Sequence, residues 1–441
     1  MDSSSTELSR RYGLLAAVTI IVGQVIAVGI FLVPAGMARS VGSPGLLLAI
    51  WLLIGLMTLC GALCYSELSS RFPEAGGSYV YLRAGFGDKL AFLYGWMVLL
   101  VLDPGLTAIF AIGLTSYVDR IVAIPQFWQP IFSAVVVIGV ATLNIVGTRT
   151  SSVLLSVLTW TKILFLFFIV VYGFLGGRGD VNNLTPFFAT PPDLVGAMAG
   201  GLVGAFFSFA GWWELTRIAG EIRDPQRNLP RALLYGVLAL TTIYVAVSAA
   251  FMYLVPVTGI TSDETFAAQV GEVLFGTTGE IVFSLIVIAS VGGTLIAYMM
   301  VSPRVYYAMA KDRLFFKSVA TVHPRFGTPL RAIAIQALLA VILILSGSFQ
   351  QIISYFFFVA VLFIGLTVAS LFWIRKQPHD GFKTPLYPLT PIVFLSITAV
   401  VLFFIAMRDP VTAFSGVGLV LLGLPVYYYF RSKRGQMNGV D

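Results

Sequence analysis

Apolar runs long enough, or nearly long enough, to form membrane-spanning helices follow one another along the chain, separated by short polar segments. One helical crossing of a ~30 Å hydrocarbon core takes about 20 apolar residues. The pattern predicts helices over 13–38, 44–66, 88–117, 128–147, 152–175 and 194–219. A second set follows over 230–255, 279–306, 331–346, 351–374, 389–406 and 410–430. The ninth run is short, and the first and sixth are rich in small residues. The expected fold class is an all-α polytopic membrane protein of twelve transmembrane helices, with 1–12 and 431–441 as tails.

Composition agrees with that pattern. Of 441 residues, 58% are hydrophobic and 11% charged, whereas a soluble domain carries about a quarter charged residues. A large soluble domain does not fit. The net charge of +7 does not point to nucleic acid, because the basic residues sit in the short loops between apolar runs. Counted by alternate loops, 22 Lys and Arg fall on one side and 4 (Arg39, Arg120, Arg178 and Arg408) on the other, with Lys162 inside a helix. The positive-inside rule then makes both termini cytoplasmic and the number of crossings even. The outer loop after the seventh run adds Asp263, Glu264 and Glu272. Cys60 and Cys64 share one apolar helix, and His323 and His379 lie in basic loops. No disulfide framework, metal site or cofactor is expected.

A transporter presents polar groups inside hydrocarbon by breaking helices: the N–H groups at a half-helix start receive anions, and freed carbonyls receive cations. In the first run, Gly29 lacks a Cβ and lets a ligand approach the backbone, and Pro34 follows. The sixth run contains Gly200, Gly201 and Gly204, then Phe207-Ser-Phe-Ala-Gly-Trp-Trp-Glu214. Close helix packing is the commoner use of such glycines. Here, however, Gly29 and Gly211 each fall in a run heading a block of five, over 13–176 and 194–374, with two helices more over 389–430. An odd-numbered block reverses orientation, which is the arrangement of an inverted repeat.

Ionisable groups at depth are functional candidates. Lys162 stands ~11 residues above its helix start, ~16 Å at 1.5 Å per residue, about halfway across the core. Its ammonium either replaces a sodium ion, bracing the broken first helix, or shuttles a proton. Asp103, before Pro104, has three readings: a partner for Lys162, a pathway-lining group, or a cap for backbone freed by the proline. Tyr244 is near mid-depth and either holds the broken helix or makes an ordinary interhelical contact. Phe207, Phe209 and Trp212 flank Gly211 as candidate pocket walls, and Glu214 lies on the inner pathway or at the interface. The polar segments 67–83 and 304–331 read equally as solvated connections and as amphipathic helices lining a gate.

These residues resemble the amino acid–polyamine–organocation superfamily, in particular the L-type amino acid transporter branch, across most of the chain. Ile26-Ala-Val-Gly-Ile-Phe31 is similar to the Gly-Ser-Gly-Ile-Phe motif of the first helix. Glu67 to Tyr81, Phe209-Ala-Gly-Trp212 with Glu221-Ile-Arg-Asp-Pro-Gln-Arg-Asn-Leu-Pro230, and Arg304 to Asp312 with His323-Pro324 resemble three further motifs in order. The resemblance implies a LeuT-like 5+5 inverted repeat with discontinuous first and sixth helices, transporting amino acids by alternating access. Backbone around Ala27, Val28, Gly29 and Ile30 would take the substrate carboxylate. Carbonyls near Ile26 and around Phe207, Ser208, Phe209 and Ala210 would meet its α-amino group. Lys162 falls where some members carry a lysine in place of a sodium site, with Ser290 and Thr294 facing it. Two motif positions depart from the family, being Ala27 and Val28 here. Ala210 stands where members handling cationic substrates can carry an acid, so neutral amino acids, small or moderately apolar, are expected. Eukaryotic members have a cysteine in the loop after the third helix for a heavy subunit. Loop 118–127 has none, so no obligate disulfide-linked partner is expected.

The expectation is a sodium-independent exchanger in the plasma (inner) membrane, with a proton-coupled symporter as the alternative. A channel would not need two broken helices. A membrane-embedded enzyme would need a nucleophile, metal cluster or paired carboxylates, and the sequence offers none.

Overall fold

The computed structural model describes residues 8–27, 29–146, 148–257, 270–347 and 349–438. Val28, Asp263 and Glu264 lie outside the described residues. The described structure is helical throughout, apart from one isolated bridge between Tyr12 and Ile222. Ten helices are long and apolar enough to cross a membrane, and Leu14–Val25 and Leu330–Ser346 are shorter apolar helices. Large apolar side chains such as Leu52, Leu56, Leu164 and Phe167 stand exposed on the helix flanks, a surface suited to lipid. This is a polytopic helical membrane protein.

The first run does not form one helix. α1 (Leu14–Val25) ends where Ile26 leaves helical geometry (φ −73°, ψ 84°), and α2 (Gly29–Val41) restarts it. α3 (Pro44–Arg71) is nucleated by Ser43, whose hydroxyl accepts from Leu46 N, with Pro44 in the first turn. The third run is also interrupted. After α4 (Ser78–Phe86) and α5 (Asp88–Met97), the chain widens into a π turn over Val98–Leu102 before α6 (Asp103–Asp119). Pro104 cannot donate the bond a regular α-helix needs there, and the wider turn relieves that demand.

α7 (Gln129–Val146) and α8 (Thr148–Leu175) follow. α9 (Leu194–Phe209) then stops at Ala210 (φ −58°, ψ 142°). Gly211 adopts φ +108° and a 3-10 segment follows over Trp212–Glu221. That backbone conformation is readily available only to glycine. Gly201 and Gly204 serve packing instead: a Cβ on either would stand 2.6 Å from Ile50 Cδ1 or 3.1 Å from Val33 Cγ1.

α10 (Pro225–Leu254) starts earlier than the pattern predicts, because Pro225 suits a first turn, and it runs on through Pro230. α11 (Gly279–Val301), α12 (Arg304–Lys311), α13 (Leu330–Ser346) and α14 (Phe349–Ile374) come next, followed by α15 (Leu389–Arg408), α16 (Pro410–Leu421) and α17 (Gly423–Asn438). α4 and α12 are not solvated connections. Tyr79, Tyr81, Leu82, Val305, Tyr306 and Met309 are buried, and Arg83 and Tyr79 both reach Asp312.

α3 and α10 cross where a Cβ on Gly55 would stand 2.5 Å from Thr241 Cγ2. Gly55→Val must therefore force the two helices apart, at about 1–3 kcal/mol. A melting midpoint in detergent several degrees lower is expected, and an unchanged midpoint would contradict the close approach.

Candidate functional site

The two helix breaks lie side by side. A Cβ on Gly29 would sit 3.4 Å from Ser208 Cα and 3.3 Å from its hydroxyl, so glycine lets α2 begin close against the end of α9, where a side chain would press on Ser208. Breaking α1 strands the carbonyls of its last turn. Ala27 N turns back to Val25 O (2.8 Å), leaving the Gly23 and Ile26 carbonyls pointing at α8 and α11.

Lys162 of α8 answers them. Its Nζ donates to Gly23 O (2.6 Å) and Ile26 O (2.5 Å), and more weakly to Ser290 O (3.4 Å). An ammonium has three N–H bonds, and this one uses all three. Ser290 Oγ also donates to Ile26 O (3.0 Å), and Thr294 Oγ1 to Gly23 O (3.0 Å). Lys162, Ser290 and Thr294 are each 0% exposed. The carbonyl end of α1 carries partial negative charge, so a buried positive charge stands against the negative end of a half-helix. Both lone pairs of the Ile26 carbonyl are engaged, by Lys162 and Ser290. It is not free to receive a substrate amino group, which corrects the expectation for that residue.

Tyr244 of α10 ties the two breaks together. Its hydroxyl lies 2.7 Å from Ser208 O and 3.2 Å from Val25 O, one carbonyl from the last turn of each broken helix.

Asp103 pairs with Arg217, not with Lys162. Arg217 NH1 donates to both Asp103 oxygens at 3.0 Å, while the hydroxyls of Tyr298 (2.6 Å) and Tyr306 (2.7 Å) donate to one oxygen each. Arg217 Nε also meets Glu214 Oε2 at 2.5 Å, and Trp213 Nε1 donates to Glu214 Oε1 (2.8 Å). Arg217, counted above among loop cations, is thus 1% exposed beneath the breaks. Below it, Arg304 pairs with Glu221 (2.8 Å), whose carbonyl receives the N–H groups of Arg11 and Tyr12. The end of the bundle holding Tyr12 is therefore shut by buried ion pairs and backbone bonds.

Above this floor lies a cavity of about 280 Å³. Ala27, Gly29, Phe207, Ser208, Ala210 and Gly211 line it, all of them legible from the sequence. Its wall is apolar, formed by Met97, Leu106, Phe110, Ala360 and Ile364, and its floor carries Glu214, Tyr94 and Tyr298. Two expected wall residues are elsewhere. Phe209 packs against Trp51 and Tyr244, and Trp212 against Tyr65 and Phe394. The left-handed turn at Gly211 rotates Trp212 into the protein core and turns Trp213 and Glu214 to the cavity. Sequence reasoning also missed Arg217. The available signal was two opposite charges, Asp103 and Arg217, each inside a predicted helix. Among the described residues no group of three His, Cys, Asp or Glu side chains could hold a metal ion.

Tyr244→Phe removes one hydroxyl and leaves the buried Ser208 carbonyl short of its donor, which costs about 1–3 kcal/mol. Thermal unfolding in detergent should fall accordingly. An unshifted transition would show that the hydroxyl does not hold the breaks.

The amino acid permease family model matches residues 12–424. The chain is 28% identical to a serine/threonine exchanger of Bacillus subtilis (strain 168) over 440 residues, covering 98% of this chain and all of that protein. It is 29% identical to the large neutral amino acids transporter small subunit 2 of Homo sapiens, over 96% of this chain and 80% of the relative. It is 28% identical to the human cystine/glutamate transporter, over 96% and 86%. With two broken helices facing one cavity and a family model spanning nearly the whole chain, this protein belongs to the amino acid permease family of the amino acid–polyamine–organocation superfamily and is a transporter, not an enzyme.

Proposed function

We propose that the chain exchanges neutral L-amino acids, small to moderately apolar, across the plasma membrane by alternating access and without sodium. The observation that carries this reading is the pair of half-helix ends meeting in one cavity. The first-turn N–H groups of α2, beginning at Gly29, have no intrahelical acceptors and suit a carboxylate. Carbonyls at the end of α9, around Phe207 and Ser208, suit an ammonium. Together they match the zwitterionic part common to all amino acids, while the apolar wall takes the side chain.

Neutrality is argued from charge. No Lys or Arg is among the cavity-lining residues, so a second substrate carboxylate has no partner there. Glu214 is already held by Arg217, and Ala210 supplies no acid. Sodium independence is argued from Lys162, whose ammonium occupies the carbonyls that a bound cation would need. Exchange, and neutral or hydroxyl-bearing cargo, are also named for two of the relatives above.

In this reading the ten long helices and two short apolar ones make twelve crossings, the first ten as a 5+5 inverted repeat. Both termini are cytoplasmic, as the charge asymmetry argues, and the shut floor belongs to an outward-facing state. The free cysteines, Cys60 and Cys64, lie in α3, away from the loop after α6, so no disulfide-linked heavy subunit is required.

Purified protein in proteoliposomes should take up labelled neutral amino acid saturably only when unlabelled amino acid is inside, at the same rate in sodium and in choline. Uptake into empty vesicles that follows an imposed proton gradient would establish symport instead. Unsaturable flux without counterflow would establish a channel.

A further inference from the structure

We propose that Gln24 contacts the substrate side chain and selects amino acids bearing a hydroxyl or a carboxamide. This rests on the exchange function proposed above and narrows its substrate class.

Gln24 lies in the last turn of α1, next to the first break, and lines the cavity. It is 5% exposed, and neither its Nε2 nor its Oε1 has a hydrogen-bond partner. It is the one buried side chain among the described residues with both ends of an amide unpartnered. Buried polar groups in native proteins are paired in the large majority of cases, and an exception calls for a missing partner.

The other polar side chains lining the same cavity are already committed. Ser208 Oγ donates to Gly204 O (3.1 Å), and Trp213 Nε1 to Glu214 Oε1 (2.8 Å). The Tyr94 hydroxyl receives Arg217 NH2 (3.3 Å), and the Tyr298 hydroxyl donates to Asp103 (2.6 Å). Glu214 is bound to Arg217. Among the described residues lining the cavity, Gln24 is the one side chain with all of its polar atoms unpaired. Its stem passes the second break, with Cγ 3.8 Å from where a Cβ on Gly211 would stand, so its amide belongs to the site formed by both breaks.

An amide offers a donor and an acceptor together. A substrate hydroxyl or carboxamide also donates and accepts, and so satisfies both atoms. An ammonium side chain can only donate and leaves Nε2 unpaired. An aliphatic side chain leaves both atoms unpaired, and a site built to bond a polar group discriminates strongly against the analogue lacking it.

The test compares threonine with valine, which have nearly the same shape, as competitors of exchange in proteoliposomes, with lysine as a third competitor. Wild-type protein should favour threonine over valine by about tenfold or more. In Gln24→Leu the threonine-to-valine ratio should fall to within about twofold of one, through a rise in KM for threonine and not a loss of kcat. Gln24→Met, which keeps the length of the stem, should do the same and guards against a variant that fails to fold. An unchanged ratio in both variants overturns the proposal, as does a wild-type preference for valine or lysine over threonine. Wild-type protein that exchanges no amino acid would overturn the transport reading itself, a result distinct from exchange with an unaltered ratio.

Discussion

The architecture of the site depends on one buried charge. A helix that stops in the middle of a membrane leaves carbonyls without hydrogens, and lipid supplies none. Lys162 meets that demand with a single ammonium whose three N–H bonds point to Gly23, Ile26 and Ser290. The same interaction makes the lysine tolerable. An isolated ammonium at that depth is costly, but two carbonyls at the negative end of a half-helix and a third from α11 stabilise it. With α1 ended at this point, α2 begins beside α9, Tyr244 spans the gap, and the cavity lies between the breaks.

A second buried cluster closes the cavity below by different means. There the groups are formally charged on both sides: Asp103 and Glu214 share Arg217, and three tyrosines complete the shell. Removing one partner of such a set leaves an uncompensated buried charge, which typically costs 3–5 kcal/mol. Its members come from α5, α6, α11, α12 and the 3-10 segment after Gly211, so it ties the segment following the second break to four other helices. An alternating-access cycle that opens this end must separate or move the cluster as a unit.

Much of this was legible in the sequence for a simple reason: hydrocarbon tolerates so few polar or glycine-rich interruptions that each one stands out. Gly29, Gly211, Lys162, Tyr244, Ser290 and Thr294 all fall at the breaks or around them. The partners were harder. Asp103 and Arg217 are 114 positions apart, and their meeting depends on the rotation that the left-handed turn at Gly211 imposes on the residues after it. A helical reading of that stretch puts Phe209 and Trp212 on the cavity, whereas the turn buries both and brings Glu214 there. Gln24 also lines the cavity, a residue with no motif to mark it. Loop charge counts were no guide to exposure, because Arg217 and Arg304 are internal ion-pair members.

The central claim is that the Lys162 ammonium holds the first break in place. Amide hydrogen exchange over residues 20–31, in wild type and in Lys162→Met, tests it most directly. Methionine keeps the bulk of the stem and removes all three donors. The account predicts that amides near the end of α1 and the start of α2 exchange about one to two orders of magnitude faster in the variant, while those in the middle of α3 are unaffected. Equal protection of this segment in both proteins would contradict it.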